Sequence, residues 1–124
     1  MQGAQTLWPR ATLMKQFSQR LIGLIGRQHL HADEAYWFPY CRAIHTFGMQ
    51  QPLDLIAVDK GMQIVAVERF VLPNRSCRFR GAYGVIETLA GCYWPLEHWI
   101  GRVLTIEQGG SDESNSCRID LCER

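Results

Sequence analysis

The sequence has no apolar run approaching the ~20 residues needed to span a bilayer as a helix. Met1–Arg10 has no basic start followed by an apolar stretch, so it is not read as a signal peptide. There is no Cys-x-x-Cys pair, and the five cysteines (Cys41, Cys77, Cys92, Cys117, Cys122) are odd in number and irregularly spaced. That is a poor disulfide framework, and free thiols in a reducing, cytoplasmic setting are expected. An excess of one charge is also missing. Thirteen Lys and Arg against twelve Asp and Glu leave a net charge of +1, which gives no field to gather nucleic acid or an anionic membrane. No Gly-x-Ser-x-Gly elbow, phosphate-cradling glycine loop or His-Glu-x-x-His helix occurs, so no cofactor is implied.

What is present fits one globular domain. The chain has 124 residues, 47% of them hydrophobic and 20% charged. That length is too short for two domains, and the balance supports a core burying roughly two thirds of the unfolded surface. Leu13, Met14, Phe17, Leu21, Leu24 and Ile25 recur at helical spacing opposite Lys15, Gln16, Gln19 and Arg20. This predicts an amphipathic helix over 10–25, with Pro9 at its start and Gly26 as its stop. The chain then turns to strands: Ala35–Phe38, Ala43–Phe47, Leu53–Asp59, Met62–Val71, Gly84–Thr88 and Arg102–Glu107. Asp59-Lys60-Gly61 suits a tight hairpin between two of them, with Gly61 supplying positive φ. The strand at 53–59 is apolar on both faces, so both need cover. The helix would cover one; a second sheet, a closed barrel or a partner copy, as in a homodimer, would cover the other. Leu72–Gly81 reads as a loop, with a helical turn after Pro95. Residues 1–107 form the expected domain and 108–124 a flexible tail, because Gly-Gly-Ser-Asp-Glu-Ser-Asn-Ser has nothing to bury.

The run Pro52-Leu53-Asp54-Leu55-Ile56-Ala57-Val58-Asp59-Lys60-Gly61-Met62-Gln63-Ile64-Val65, preceded by Gly23-Leu24 and followed by Val85-Ile86-Glu87 and Ala90-Gly91, resembles domain of unknown function family 192. The likeness runs from about Phe17 to Ile106. His45-Thr46-Phe47-Gly48-Met49 stands where most members carry Trp-Met-(Lys or Arg)-Asn-Thr, as in a minority bacterial branch. Arg102 follows Gly101 where a Gly-Asp pair is usual. The resemblance implies a compact, mainly β, barrel- or sandwich-like single domain with a small helical part. It implies no established activity, and it associates the minority branch with pilus and secretion genes.

Three candidate sites follow. Cys41, His45 and Met49 offer soft ligands for copper(I) or zinc. Extended chain would separate Cys41 from Met49 by roughly 26 Å, so a bend at Gly48 or help from Cys77 would be needed. Buried Cys and Met filling core is the alternative. His45, Asp54 and Glu87 are polar residues inside apolar strands and could form a carboxylate–imidazole acid–base cluster. Alternatively, Asp54 caps a turn and Glu87 pairs with an arginine of the 75–80 loop. Arg75, Arg78 and Arg80, with Phe79 between, could hold a phosphate or carboxylate. Tyr93, Trp94 and Trp99 could line a groove but suit a core better. The sequence reads first as a non-enzymatic accessory module that binds a small anion or a protein partner near His45, Asp54, Arg75 and Glu87. A small enzyme using His45 with Asp54 or Glu87 is the alternative, and a soft-metal binder the third reading.

Overall fold

The computed structural model of the chain describes residues 4–14, 30–46, 51–108 and 115–122. In chain order it contains β1 (Ala4–Leu13), β2 (Glu34–Pro39), β3 (Ala43–His45), β4 (Leu53–Val58), β5 (Ile64–Val71), β6 (Ser76–Arg78), β7 (Gly84–Leu89), a 3-10 turn η1 (Leu96–Trp99), β8 (Leu104–Gln108) and β9 (Ser116–Cys122). Seven strands form one sheet in the order β5-β4-β7-β2-β1-β9-β8, and β3 pairs with β6 in a separate ribbon. The two ends of the large sheet meet. Gln63 bridges Val103, Ile64 N–H donates to the Arg102 carbonyl at 2.9 Å, and Leu104 N–H donates to the Met62 carbonyl at 2.9 Å. Closing the sheet into a barrel removes edges that would otherwise invite pairing with other chains. Among the described residues only β1 and β2 run parallel, which requires a long crossover rather than a hairpin.

Two cores result. Trp8, Trp37, Ile56, Ile64, Ile86, Leu104 and Ile119 fill the barrel, and Leu96 of η1 joins them. Tyr36, Phe38, Leu55, Ala57 and Val85 form a second layer outside β2, β4 and β7, with Ile44 and Phe79 of the ribbon region packed in the same cluster. The doubly apolar β4 is therefore covered on both faces within one chain and requires no second copy.

The expected N-terminal helix is overturned. Arg10–Leu13 is the end of β1, in register with Glu34–Trp37 of β2. Among the described residues the only helical element is η1; residues 15–25 of the expected helix lie outside them. The helical spacing misled for a physical reason. Leu13 packs on the barrel core and Met14 in the outer layer, so these neighbours serve opposite faces of extended chain rather than one helical stripe. Register shifts between Thr6 and Trp8 and between Trp8 and Ala11 further break the period of two. Pro9, without an N–H, sits at that irregularity.

The expected tail needs the same correction. Ser116–Cys122 is β9, an interior strand between β1 and β8. Cys117, Ile119 and Leu121 alternate into the barrel core, an alternation obscured by the polar run before it. The expected 72–81 loop likewise contains β6. The β4–β5 hairpin forms as predicted, with one change: positive φ falls on Met62 (66°) rather than Gly61. Asp59 Oδ1 accepts the N–H groups of Gly61 and Gln63, each at 2.9 Å, and holds the turn.

Candidate functional site

Asp54 and Glu87 lie on adjacent strands, and the register separates them. Leu55 is opposite Glu87 and Asp54 is opposite Thr88. With side chains alternating across the sheet, Asp54 shares the face of Ile56 while Glu87 shares that of Leu55. The two carboxyls belong to different environments and form no pair.

Asp54 is fully buried and fully engaged. Its Oδ2 accepts from the Arg69 guanidinium at 2.8 Å and from Cys92 N–H at 3.0 Å, and its Oδ1 accepts from Phe70 N–H at 2.8 Å. Arg69 also donates to the Cys92 and Trp94 carbonyls and to both Glu97 oxygens, at 2.7 and 3.1 Å. The Glu97 hydrogen bonds, ahead of Asp54, raise the Arg69 pKa, and the same contact pushes Glu97 down to about 2. This network ties β4, β5 and η1 together and satisfies a buried charge that would otherwise be costly. Sequence reasoning missed Arg69; its only signal was a lone arginine within an apolar strand.

Glu87 is the opposite case. It is 0% exposed, and neither carboxyl oxygen has a hydrogen-bond partner among the described residues. Burial pushes its pKa up to about 8, so the carboxyl holds its proton at neutral pH. No arginine of the 75–80 segment reaches it. His45 is placed by its backbone opposite Ser76 in the ribbon, and its side chain is outside what is described. Met49 is outside the described residues, and the Cys41 thiol donates to the Ala43 carbonyl at 3.1 Å. Among the described residues no three His, Cys, Asp or Glu side chains gather to hold a metal. All five cysteines are free thiols.

Arg75, Arg78 and Arg80 are exposed and do not converge on one point. Arg78 and Arg80 line a cleft of about 490 Å³ between β5 and β6, with Ala66, Glu68 and Phe79 among its other walls; Arg75 is not part of it. Tyr93 is exposed, and Trp94 and Trp99 stack at 5.9 Å against the barrel core.

The larger concavity, about 600 Å³, lies where the β2–β3, β4–β5 and β6–β7 connections meet. It is lined by Tyr40, Arg42, Asp59, Lys60, Gly61, Gly81, Ala82 and Tyr83. Tyr40 and Tyr83 stack edge to face with centroids 5.1 Å apart, and the hydrogen bond between them raises the Tyr83 pKa. Tyr40 is 79% exposed and held at φ 57°, a conformation L residues adopt only when surrounding structure enforces it. Arg42 and Lys60 make no ion pair among the described residues. The one carboxylate present, Asp59, is engaged by the turn N–H groups. No sequence motif announces this cleft, because its residues come from three separate loops.

Barrel, ribbon and Arg69 clasp together define a mainly β, single-domain barrel class. The chain belongs to domain of unknown function family 192: the family model DUF192, described as an uncharacterised ACR, matches residues 2–106. The match ends before β9. No curated protein matches the chain. Among solved structures, a protein of unknown function from Novosphingobium aromaticivorans is 20% identical with a TM-score of 0.58; 65% of this chain aligns with 63% of that one. A Sinorhizobium meliloti protein, provisionally described as a transcription regulator, is 20% identical with a TM-score of 0.60, covering 90% of this chain and 80% of that one. These likenesses share the fold. Among the described residues no helix is long and apolar enough to cross a membrane.

Proposed function

We propose that the domain is a binding module for a small anionic ligand, taken in the Tyr40–Arg42–Lys60–Tyr83 cleft. The observation carrying this reading is the meeting of two unneutralised cations with a strained, exposed tyrosine in one concavity. Arg42 offers a bidentate fork for phosphate or carboxylate, and Lys60 a point charge. The tyrosine rings offer a face for stacking and a hydroxyl for orientation. An accessory role in a bacterial pilus or secretion system is supported by the family branch alone, and the free thiols fit a reducing compartment.

Thermal-shift titration with inorganic phosphate, citrate and a nucleoside monophosphate tests the reading. Stabilisation growing with ligand concentration is expected, and it should vanish in Arg42→Ala/Lys60→Ala. A flat response to all three, or an undiminished response in the double variant, refutes it.

A further inference from the structure

The cleft between β5 and β6 supports a second inference, independent of the anion cleft. Thr46 N–H donates to the Arg75 carbonyl and Phe79 N–H to the Arg42 carbonyl. In an antiparallel ribbon, bonded and non-bonded pairs alternate. Ile44–Cys77 is then the bonded pair between those two, and Ala43–Arg78 is a non-bonded pair. The Arg78 backbone N–H and C=O therefore point away from β3, towards the cleft side of β6. Among the described residues β6 has β3 as its only strand neighbour, and β5 beyond the Gln63 bridge has only β4. Two strand edges thus flank one concavity of about 490 Å³.

The geometry points to this cleft as a docking groove for an extended peptide with acidic side chains at every second position. Such a segment adds to the β6 edge by exchanging backbone hydrogen bonds with Arg78. A residue directly opposite Arg78 shares its face of the ribbon, and Arg80, in the turn that Ala82 N–H closes on the Phe79 carbonyl just beyond β6, lines the same cleft. Both guanidiniums are exposed and without an ion-pair partner among the described residues, so carboxylates fit at those two places. The intervening side chains face the floor of Ala66, Cys77 and Phe79, which favours small β-branched residues. Glu68 on the β5 wall is the one opposing charge; two cations against one acid leave the groove positive.

The probe is acetyl-Glu-Val-Glu-Val-Glu-Val-amide, added to the full chain and followed by fluorescence polarisation and amide hydrogen exchange. Saturable binding that weakens with salt is expected, together with slowed exchange at the Arg78 amide. Arg78→Glu/Arg80→Glu, both at exposed positions, should lose at least about tenfold in affinity, and Glu68→Gln should gain. A Lys-Val counterpart should not bind. The glutamate peptide N-methylated at its glutamates should fail as well, because it keeps the charge but cannot donate along β6. Absence of binding overturns the inference. Equal binding of the N-methylated peptide, or unchanged exchange at Arg78, overturns it too, by reducing the groove to a patch of charge.

Discussion

Replacing Glu87 by Gln should change how stability depends on pH far more than it changes the fold. The carboxyl is fully buried with neither oxygen bonded among the described residues, and burial raises its pKa from 4.5 to about 8. Below pH 4.5 both folded and unfolded chains carry the proton, and Glu87 imposes no pH-dependent cost. Between 4.5 and 8 the unfolded chain releases it while the folded chain keeps it, so stability falls as pH rises. Above 8 both are ionised and the cost is constant. Over that interval of about 3.5 units, at ~1.4 kcal/mol each, the native protein loses about 5 kcal/mol relative to a non-ionisable side chain. Gln is nearly isosteric and leaves its own amide unsatisfied, but that cost is the same at every pH. The stability difference between variant and native protein should therefore move by about 5 kcal/mol in favour of the variant from pH 4 to pH 9, measured by urea denaturation. Glu97 and Asp33, whose pKa values are lowered by arginine partners, contribute with the opposite sign in acid and cancel between the two proteins. A difference flat to within about 1 kcal/mol across the window would refute a buried, unpaired Glu87.

Other substitutions probe the frame around it. Arg69→Leu should cost about 3 kcal/mol by leaving Asp54 buried without its cation; Asp54→Leu/Arg69→Leu should cost less than the two single changes combined, read by denaturant titration. Gly84→Ala would place a methyl 2.5 Å from the Trp37 ring and 2.8 Å from the Phe38 carbonyl; a loss of about 1–3 kcal/mol is expected, with altered tryptophan fluorescence. Met62→Gly relieves a positive φ worth about 1 kcal/mol but removes a side chain packed on the barrel core. A melting temperature within a few degrees of the native value is expected, whereas relief without the packing loss would raise it clearly.

The elements legible in the sequence were those whose cause is local. The β4–β5 hairpin follows from two apolar runs around Asp59-Lys60-Gly61, and the turn at Leu96–Trp99 follows Pro95. Strand β1 was illegible because its irregularities and Pro9 disguise its period. Strand β9 was illegible because its partners, β1 and β8, supply a pairing that no nearby residue predicts. The need for Asp54 and Glu87 to answer for their burial was readable from their apolar flanks, but which face each occupied depended on register. Arg69 and the Tyr40 cleft depended on tertiary proximity alone, since Arg42, Lys60 and Tyr83 meet only once three connections are folded together.

The position of β9 sets an order on synthesis. Cys122 pairs with Ala4 across nearly the whole chain, and β9 lies between β1 and β8. Until β9 leaves the ribosome, β1 and β8 each keep an unsatisfied edge and the barrel stays open. Such long-range closure slows folding and leaves the nascent chain exposed to wrong pairings. A stop codon shortly before Ser116 would remove one short strand and still part β8 from β1, leaving the barrel wall open.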